Sequence, residues 1–219
     1  IKQPVNVEPK PGADGALAAQ ELLRQPADGH TLGLGNLSDL VVSRYAQPNV
    51  PYDPLKDFTH IAMVGGSPNV LVVGPELSKA NTLEALFSEL KRRGKPATYG
   101  SAGPGTSSHL LVEELSVATG IPFLHVPYRG IGPAMVDVMA GRTDFAFPGL
   151  IAALQFIKGN RLKALAVTSQ ARVPQIPAVP TFAESGMPEF SSLQWYGISG
   201  PAGIPGDIVN TLNAQVNRI

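Results

Sequence analysis

Apolar residues along this chain fall into two patterns. Some form short runs of Val, Ile, Leu and Phe, and others recur every three to four residues through polar segments. The first pattern is that of strands and the second that of amphipathic helices. Strands are predicted at 5–8, 31–35, 59–64, 69–73, 97–100, 123–127, 143–147, 162–168 and 194–199. Helices are predicted at 15–25, 37–45, 83–93, 107–119, 133–140, 151–158 and 207–219. The clearest helix is 83–93, where Leu83, Leu86, Phe87 and Leu90 line one face and Glu84, Glu89, Lys91 and Arg92 the other. Thr82 is placed to cap it.

Strand–helix alternation predicts an α/β chain with mainly parallel sheets. So many short strands exceed one tidy sheet, so two lobes are expected, each with its own sheet. Residues 1–95 are assigned to the first part of lobe 1, 96–192 to lobe 2, and 193–219 to the return to lobe 1. The Pro-rich stretch 172–180 reads as an extended surface wrap that crosses back between lobes.

Composition narrows the function classes. Seventeen Lys and Arg balance seventeen Asp and Glu, and no basic run exceeds Lys91-Arg92-Arg93, so nucleic acid is not an expected partner. No apolar run approaches the roughly 18 residues of a membrane span, so no membrane insertion is expected. The chain opens with Ile-Lys-Gln-Pro, and a signal peptide is not within this sequence. Cysteine is absent, which excludes disulfides, thiolate metal sites and a Cys nucleophile. His30, His60, His109 and His125 share no ligand spacing, so neither a metal nor a cofactor is expected.

The segment from Tyr99 to His109, Tyr-Gly-Ser-Ala-Gly-Pro-Gly-Thr-Ser-Ser-His, joins a strand to a helix. That position aims free helix N–H groups at whatever faces the turn. Residues 100–107 have the glycine spacing of a phosphate-binding loop, but Thr106 stands where its lysine belongs. A hydrolase elbow around Ser101 needs glycine where Tyr99 stands, although His109 and Asp137 offer partners for a triad. Recognition of a carboxylate by backbone N–H groups and the hydroxyls of Ser101, Thr106 and Ser107 needs neither lysine nor base. The structural alternative is a glycine-assisted turn with Ser107 as N-cap.

Several further segments run in order across nearly the whole chain. They include His125-Val-Pro-Tyr-Arg-Gly130, Leu162-Lys-Ala-Leu-Ala-Val-Thr-Ser169, Val179-Pro-Thr-Phe-Ala-Glu-Ser-Gly186, and Trp195-Tyr-Gly-Ile with Gly200-Pro-Ala-Gly-Ile-Pro205. With 100–110 they resemble the Bug family, the extracytoplasmic receptors of tripartite tricarboxylate transporters. The resemblance implies a type II periplasmic binding protein, two α/β lobes closing like a Venus flytrap on a di- or tricarboxylate, an acidic amino acid or an aromatic acid. It implies no catalysis, a periplasmic location, the transporter's membrane components as partners, and a monomer. A ligand-sensing effector domain shares the fold and is the other binding alternative.

The ligand-binding residues expected are Ser101, Ala102, Gly103, Gly105, Thr106 and Ser107 of the turn. Tyr128, Gly130, Asn36, Ser38, Pro68, Asn69 and Pro148 join them from other strand ends. Phe147-Pro-Gly-Leu150 is apolar where many members are polar, which is expected to place apolar surface near the ligand's distal end. Family chains begin with a further strand, loop and helix and continue past residue 219, so this sequence reads as trimmed at both ends.

Overall fold

The computed structural model of the protein describes residues 4–10, 15–46 and 50–218. Its contacts divide the chain into two units, residues 1–66 with 195–219, and residues 67–194. The first unit carries α1 (Ala16–Leu22), β1 (Gly33–Asn36), and a π-helical turn (Ser38–Val42) that runs into α2 (Ser43–Ala46). It also carries most of β2 (Phe58–Pro68) and β8 (Leu193–Pro201), with α7 (Gly206–Val216). Strands order as β1-β8-β2, and β1 runs antiparallel to β8. One core packs Ala16, Ala19 and Leu22 of α1 against Leu40, Tyr52 and Phe58, and a second joins Ile61, Ile204 and Leu212.

The second unit is built on a five-stranded sheet. Its elements are β3 (Val70–Val73), α3 (Leu83–Arg93), β4 (Ala97–Ser101), α4 (Ser107–Thr119), β5 (Phe123–Pro127), α5 (Ile131–Met139), β6 (Phe145–Ala146), α6 (Leu150–Lys158) and β7 (Lys163–Val167). The order is β5-β4-β6-β3-β7. Helices cover both faces, which is why β3 reads as the unbroken apolar run Val-Leu-Val-Val. Leu71 and Val73 face the core shared with Leu83, Leu86, Leu111 and Leu115, while Val70 and Val72 face Met135, Val138, Leu150 and Ala153. Thr82 caps α3 as expected, its hydroxyl accepting the Ala85 N–H at 3.1 Å.

Four expectations differ from the structure. Parallel pairing holds for β5-β4-β6, but β3 is antiparallel to both β6 and β7, so the sheet is mixed. The division falls at 66 rather than 95, because β3 hydrogen-bonds between β6 and β7 and α3 packs into the same core. The Pro-rich stretch stays within the second unit. Ile176 is buried in its core and the Val167 N–H donates to the Pro180 carbonyl at 2.9 Å, so the return crossing lies in β8 at 194/195. No strand forms at 5–8, where Val5 and Val7 are exposed.

Candidate functional site

In the second unit β4, β5, β6 and β7 run in one direction and β3 in the other. The carboxyl ends of those four strands and the amino end of β3 therefore share one sheet edge. Ser101, Pro127, Phe147, Thr168 and Asn69 all stand there, at the kind of edge where open α/β sheets bind ligands. The topology thus brings together the second-unit residues expected from sequence: 101–107, Tyr128, Gly130, Pro68, Asn69 and Pro148. Asn36 and Ser38 belong to the first unit, at the turn after β1. There Asn36 Oδ1 accepts the Ser38 N–H at 2.7 Å, and Asp39 Oδ1 accepts the Asn36 N–H at 2.6 Å. Asp39 is buried, and that burial raises its carboxyl above the usual range.

The 101–108 turn consumes most of its own polar groups. The N–H of Ala102 donates to Ser108 Oγ at 3.0 Å, that of Gly103 to Ser101 Oγ at 3.0 Å, and that of Gly105 to His109 Nδ1 at 3.2 Å. Thr106 Oγ1 donates to the Gly103 carbonyl at 2.7 Å and meets Ser108 Oγ at 3.0 Å. Gly103 and Gly105 take φ of 132° and 83°, a region that favours glycine, and this lets the chain fold back on itself. The expectation that the N–H groups from 101 to 107 all stand free for a ligand is therefore corrected. So is the hydroxyl role expected of Ser101 and Thr106, because both are buried and bonded internally.

What remains is at the mouth of α4. Thr106, rather than Ser107, holds the N-cap position, and its carbonyl accepts the N–H groups of His109 and Leu110, each at 2.9 Å. Among the described residues, the N–H groups of Ser107 and Ser108 and the Ser107 hydroxyl have no partner. These are the orphan donors of a 13-residue helix, where the aligned peptide dipoles add about half a positive charge. Ser108 was absent from the expected set, although its place in the first turn gives it the same standing as Ser107.

Beneath the turn lies an aromatic stack. The rings of His109 and His125 are 4.3 Å apart, Tyr99 lies 4.8 Å from His125, and the Tyr99 hydroxyl donates to Glu113 Oε1 at 2.7 Å. Burial, then the neighbouring His109, lowers the His125 imidazole below its ordinary value. His125 Nε2 lies 2.6 Å from Ser101 Oγ, the spacing of a base and a nucleophile. Yet Ser101 is 0% exposed and its Oγ also meets both the N–H and the carbonyl of Gly103, so no nucleophile is presented. Asp137, the other conscripted triad partner, instead accepts from the Tyr128 hydroxyl at 2.7 Å and from Arg142 at 2.8 Å.

Tyr128 therefore has no free hydroxyl to offer. Its own N–H donates to the Ser101 carbonyl at 3.0 Å, which ties β5 to the turn. Gly130, at φ 109°, starts α5. Phe147 is core, stacked on Phe182 and near Phe190, so it offers no apolar surface to a ligand. Pro148 is buried and its carbonyl accepts the Val70 N–H at 2.9 Å.

Known proteins resemble this chain in sequence and fold. The sequence is 39% identical over 219 residues to a protein of the tcbD-tcbE intergenic region of Pseudomonas sp. strain P51, covering all of this chain and 65% of that one. It is 37% identical over 219 residues to BugT of Bordetella pertussis, covering 100% of this chain and 67% of BugT. The chain thus spans about two thirds of the length of these relatives. Among solved structures, an R. palustris protein with adipate matches with a TM-score of 0.88 and 31% identity, over 94% of this chain and 68% of the other. MatC from Rhodopseudomonas palustris with bound malate matches at 0.84 and 30%, over 94% and 70%. BugD, a periplasmic binding protein, matches at 0.86 and 30%, over 95% and 69%, and has the same fold, type II with two α/β units. Residues 1–218 match the tripartite tricarboxylate transporter family receptor, and the chain belongs to that family of solute-binding receptors, not to an enzyme class.

Proposed function

We propose that the protein is a periplasmic receptor that captures a small carboxylate at the mouth of α4 and presents it to the membrane components of a tripartite transporter. The observation that carries this reading is the group of three unengaged donors, the N–H groups of Ser107 and Ser108 and the Ser107 hydroxyl, at the positive end of a 13-residue helix on the ligand-binding edge of the sheet. A carboxylate oxygen accepts from such donors without a counter-ion. Gly130, Pro68, Asn69, Pro148 and the ring of Tyr128 complete the site within the second unit. The adipate and malate of the two R. palustris structures are both dicarboxylates, which supports the same class here.

A thermal-shift screen against di- and tricarboxylates, acidic amino acids and aromatic acids tests the reading. A ligand at 100 times its Kd stabilises by roughly 2.7 kcal/mol. For a chain of this size that corresponds to a rise of roughly 5–11 °C in Tm. A protein whose Tm no carboxylate moves would refute it.

A further inference from the structure

Two side-chain amides on the same edge have no role in the turn or in the core. Asn69, just before β3, is 1% exposed. Its N–H donates to Thr168 Oγ1 at 2.9 Å, its carbonyl accepts the Thr168 N–H at 2.9 Å, and its Nδ2 donates to the Phe147 carbonyl at 3.0 Å. These bonds fix the amide's orientation, because turning it over would set Oδ1 against the Phe147 carbonyl. Oδ1 is left buried without a donor among the described residues. Native proteins leave few buried acceptors in that state, and each needs an explanation.

The second amide is Gln194, half-buried at the start of β8, for which no hydrogen bond occurs among the described residues. Its Oε1 lies against Gly149 so closely that a Cβ there would stand 2.5 Å away. Both amides thus flank the Phe147–Gly149 segment that leaves β6. In the sheet, β6 sits directly between β3 and β4, and β4 leads into the turn and α4. Two interstrand spacings, about 9.6 Å, separate the strand end that carries Asn69 from that of the turn. A carboxylate and a substituent a few bonds away, with a hydrogen bond of about 2.8 Å at each end, span a comparable distance.

We propose that Asn69 and Gln194 form a subsite for a donor-bearing substituent of the ligand, a hydroxyl or an ammonium, so that the protein selects substituted carboxylates over bare ones of equal length. This rests on the carboxylate reading of α4. Asn69 Oδ1 can only accept. A second carboxylate would oppose it lone pair to lone pair, and a methylene would leave it unsatisfied. A hydroxyl donates to Oδ1 while accepting from Gln194 Nε2. An ammonium donates to Oδ1 and to Gln194 Oε1.

Calorimetric titration of matched pairs tests this: succinate with malate, succinate with aspartate, and glutarate with 2-hydroxyglutarate. In at least one pair that binds, the substituted acid should bind at least about tenfold tighter than the bare one. That ratio should fall toward one in Gln194→Leu, which breaks no internal hydrogen bond, and in Asn69→Ser, with thermal melts confirming that both fold. Ser107→Ala should weaken both members of a pair alike. Equal affinities within every binding pair, or a ratio unchanged in both variants, overturns the subsite and leaves the orphan acceptor to an ordered water. Failure of every acid to bind, or an unweakened bare acid in Ser107→Ala, brings down the carboxylate reading and the subsite with it.

Discussion

Ser107 and Thr106 are adjacent hydroxyl residues at the mouth of α4, yet Thr106 is bonded within the turn and the Ser107 hydroxyl has no partner among the described residues. Thr106 Oγ1 donates to the Gly103 carbonyl at 2.7 Å, whose other contacts, the Thr106 N–H at 3.4 Å and Ser101 Oγ at 3.3 Å, are long. Thr106→Val keeps the shape and removes the short bond, which should cost about 1–2 kcal/mol of stability, near the range for a net hydrogen bond plus a poorly satisfied buried acceptor. The Tm should fall by roughly 2–8 °C. Ser107→Ala breaks no internal bond and places a better helix former in the first turn, so its Tm should hold or rise slightly. It removes one bond to a charged group in the complex, about 1.5–3 kcal/mol, so affinity should fall by about 10- to 150-fold. Thermal melts without ligand and calorimetric titration with a carboxylate found in the screen give both readouts for each variant. The reverse outcome, Ser107→Ala destabilised with intact affinity, would mean that the turn presents its donors the other way round.

Three further outcomes follow from the same geometry. The fold disfavours charged His125, through burial and then His109, so its share of stability is present above about pH 6.5 and is lost as pH falls through and below that value. Urea midpoints at pH 7.5 and 5.5 should therefore differ more in the wild type than in His125→Phe, which keeps the stack on Tyr99 and His109; equal differences refute the link. Asp144 accepts the Thr98 N–H at 2.8 Å, the Thr98 hydroxyl at 3.0 Å and Arg93 at 2.7 Å, so Asp144→Ala should destabilise by about 3 kcal/mol in urea unfolding and leave carboxylate affinity unchanged in the folded protein. Gly105, at φ 83°, should resist Gly105→Ala, with a loss of about 1–2 kcal/mol in the same assay, and a neutral result would mean that the turn relaxes freely.

The second unit was legible in the sequence because its helices and strands carry complete local signals. Leu83, Leu86 and Leu90 with the Thr82 cap define α3, and Val70–Val73 reads as a strand buried on both faces. Strand direction was not legible. The antiparallel placement of β3 depends on β2 running into it almost without a break, with Asn69 alone between them, so that β3 enters the sheet from the edge where β4 and β6 leave it. The unit boundary was misplaced for the same reason, since nothing local distinguishes a strand that stays in its lobe from one that crosses.

Sequence reasoning predicted the strand, the turn and the helix over 97–119 but misjudged which groups of that turn are free. Counting glycines and hydroxyls between a strand and a helix says how many donors a loop owns. It does not say how many the loop spends on itself. Here Ser101, Thr106 and Ser108 serve as acceptors and braces for a turn whose backbone reverses at Gly103 and Gly105, and among the described residues the N–H groups of Ser107 and Ser108 are left without a partner. A flexible loop would have to order those donors at the moment of binding, and the ordering entropy would be lost from the affinity. On the proposed reading, the internal bonds of the turn are what make its few unengaged donors effective, and those bonds depend on partners as distant in sequence as His125, 24 residues from Ser101.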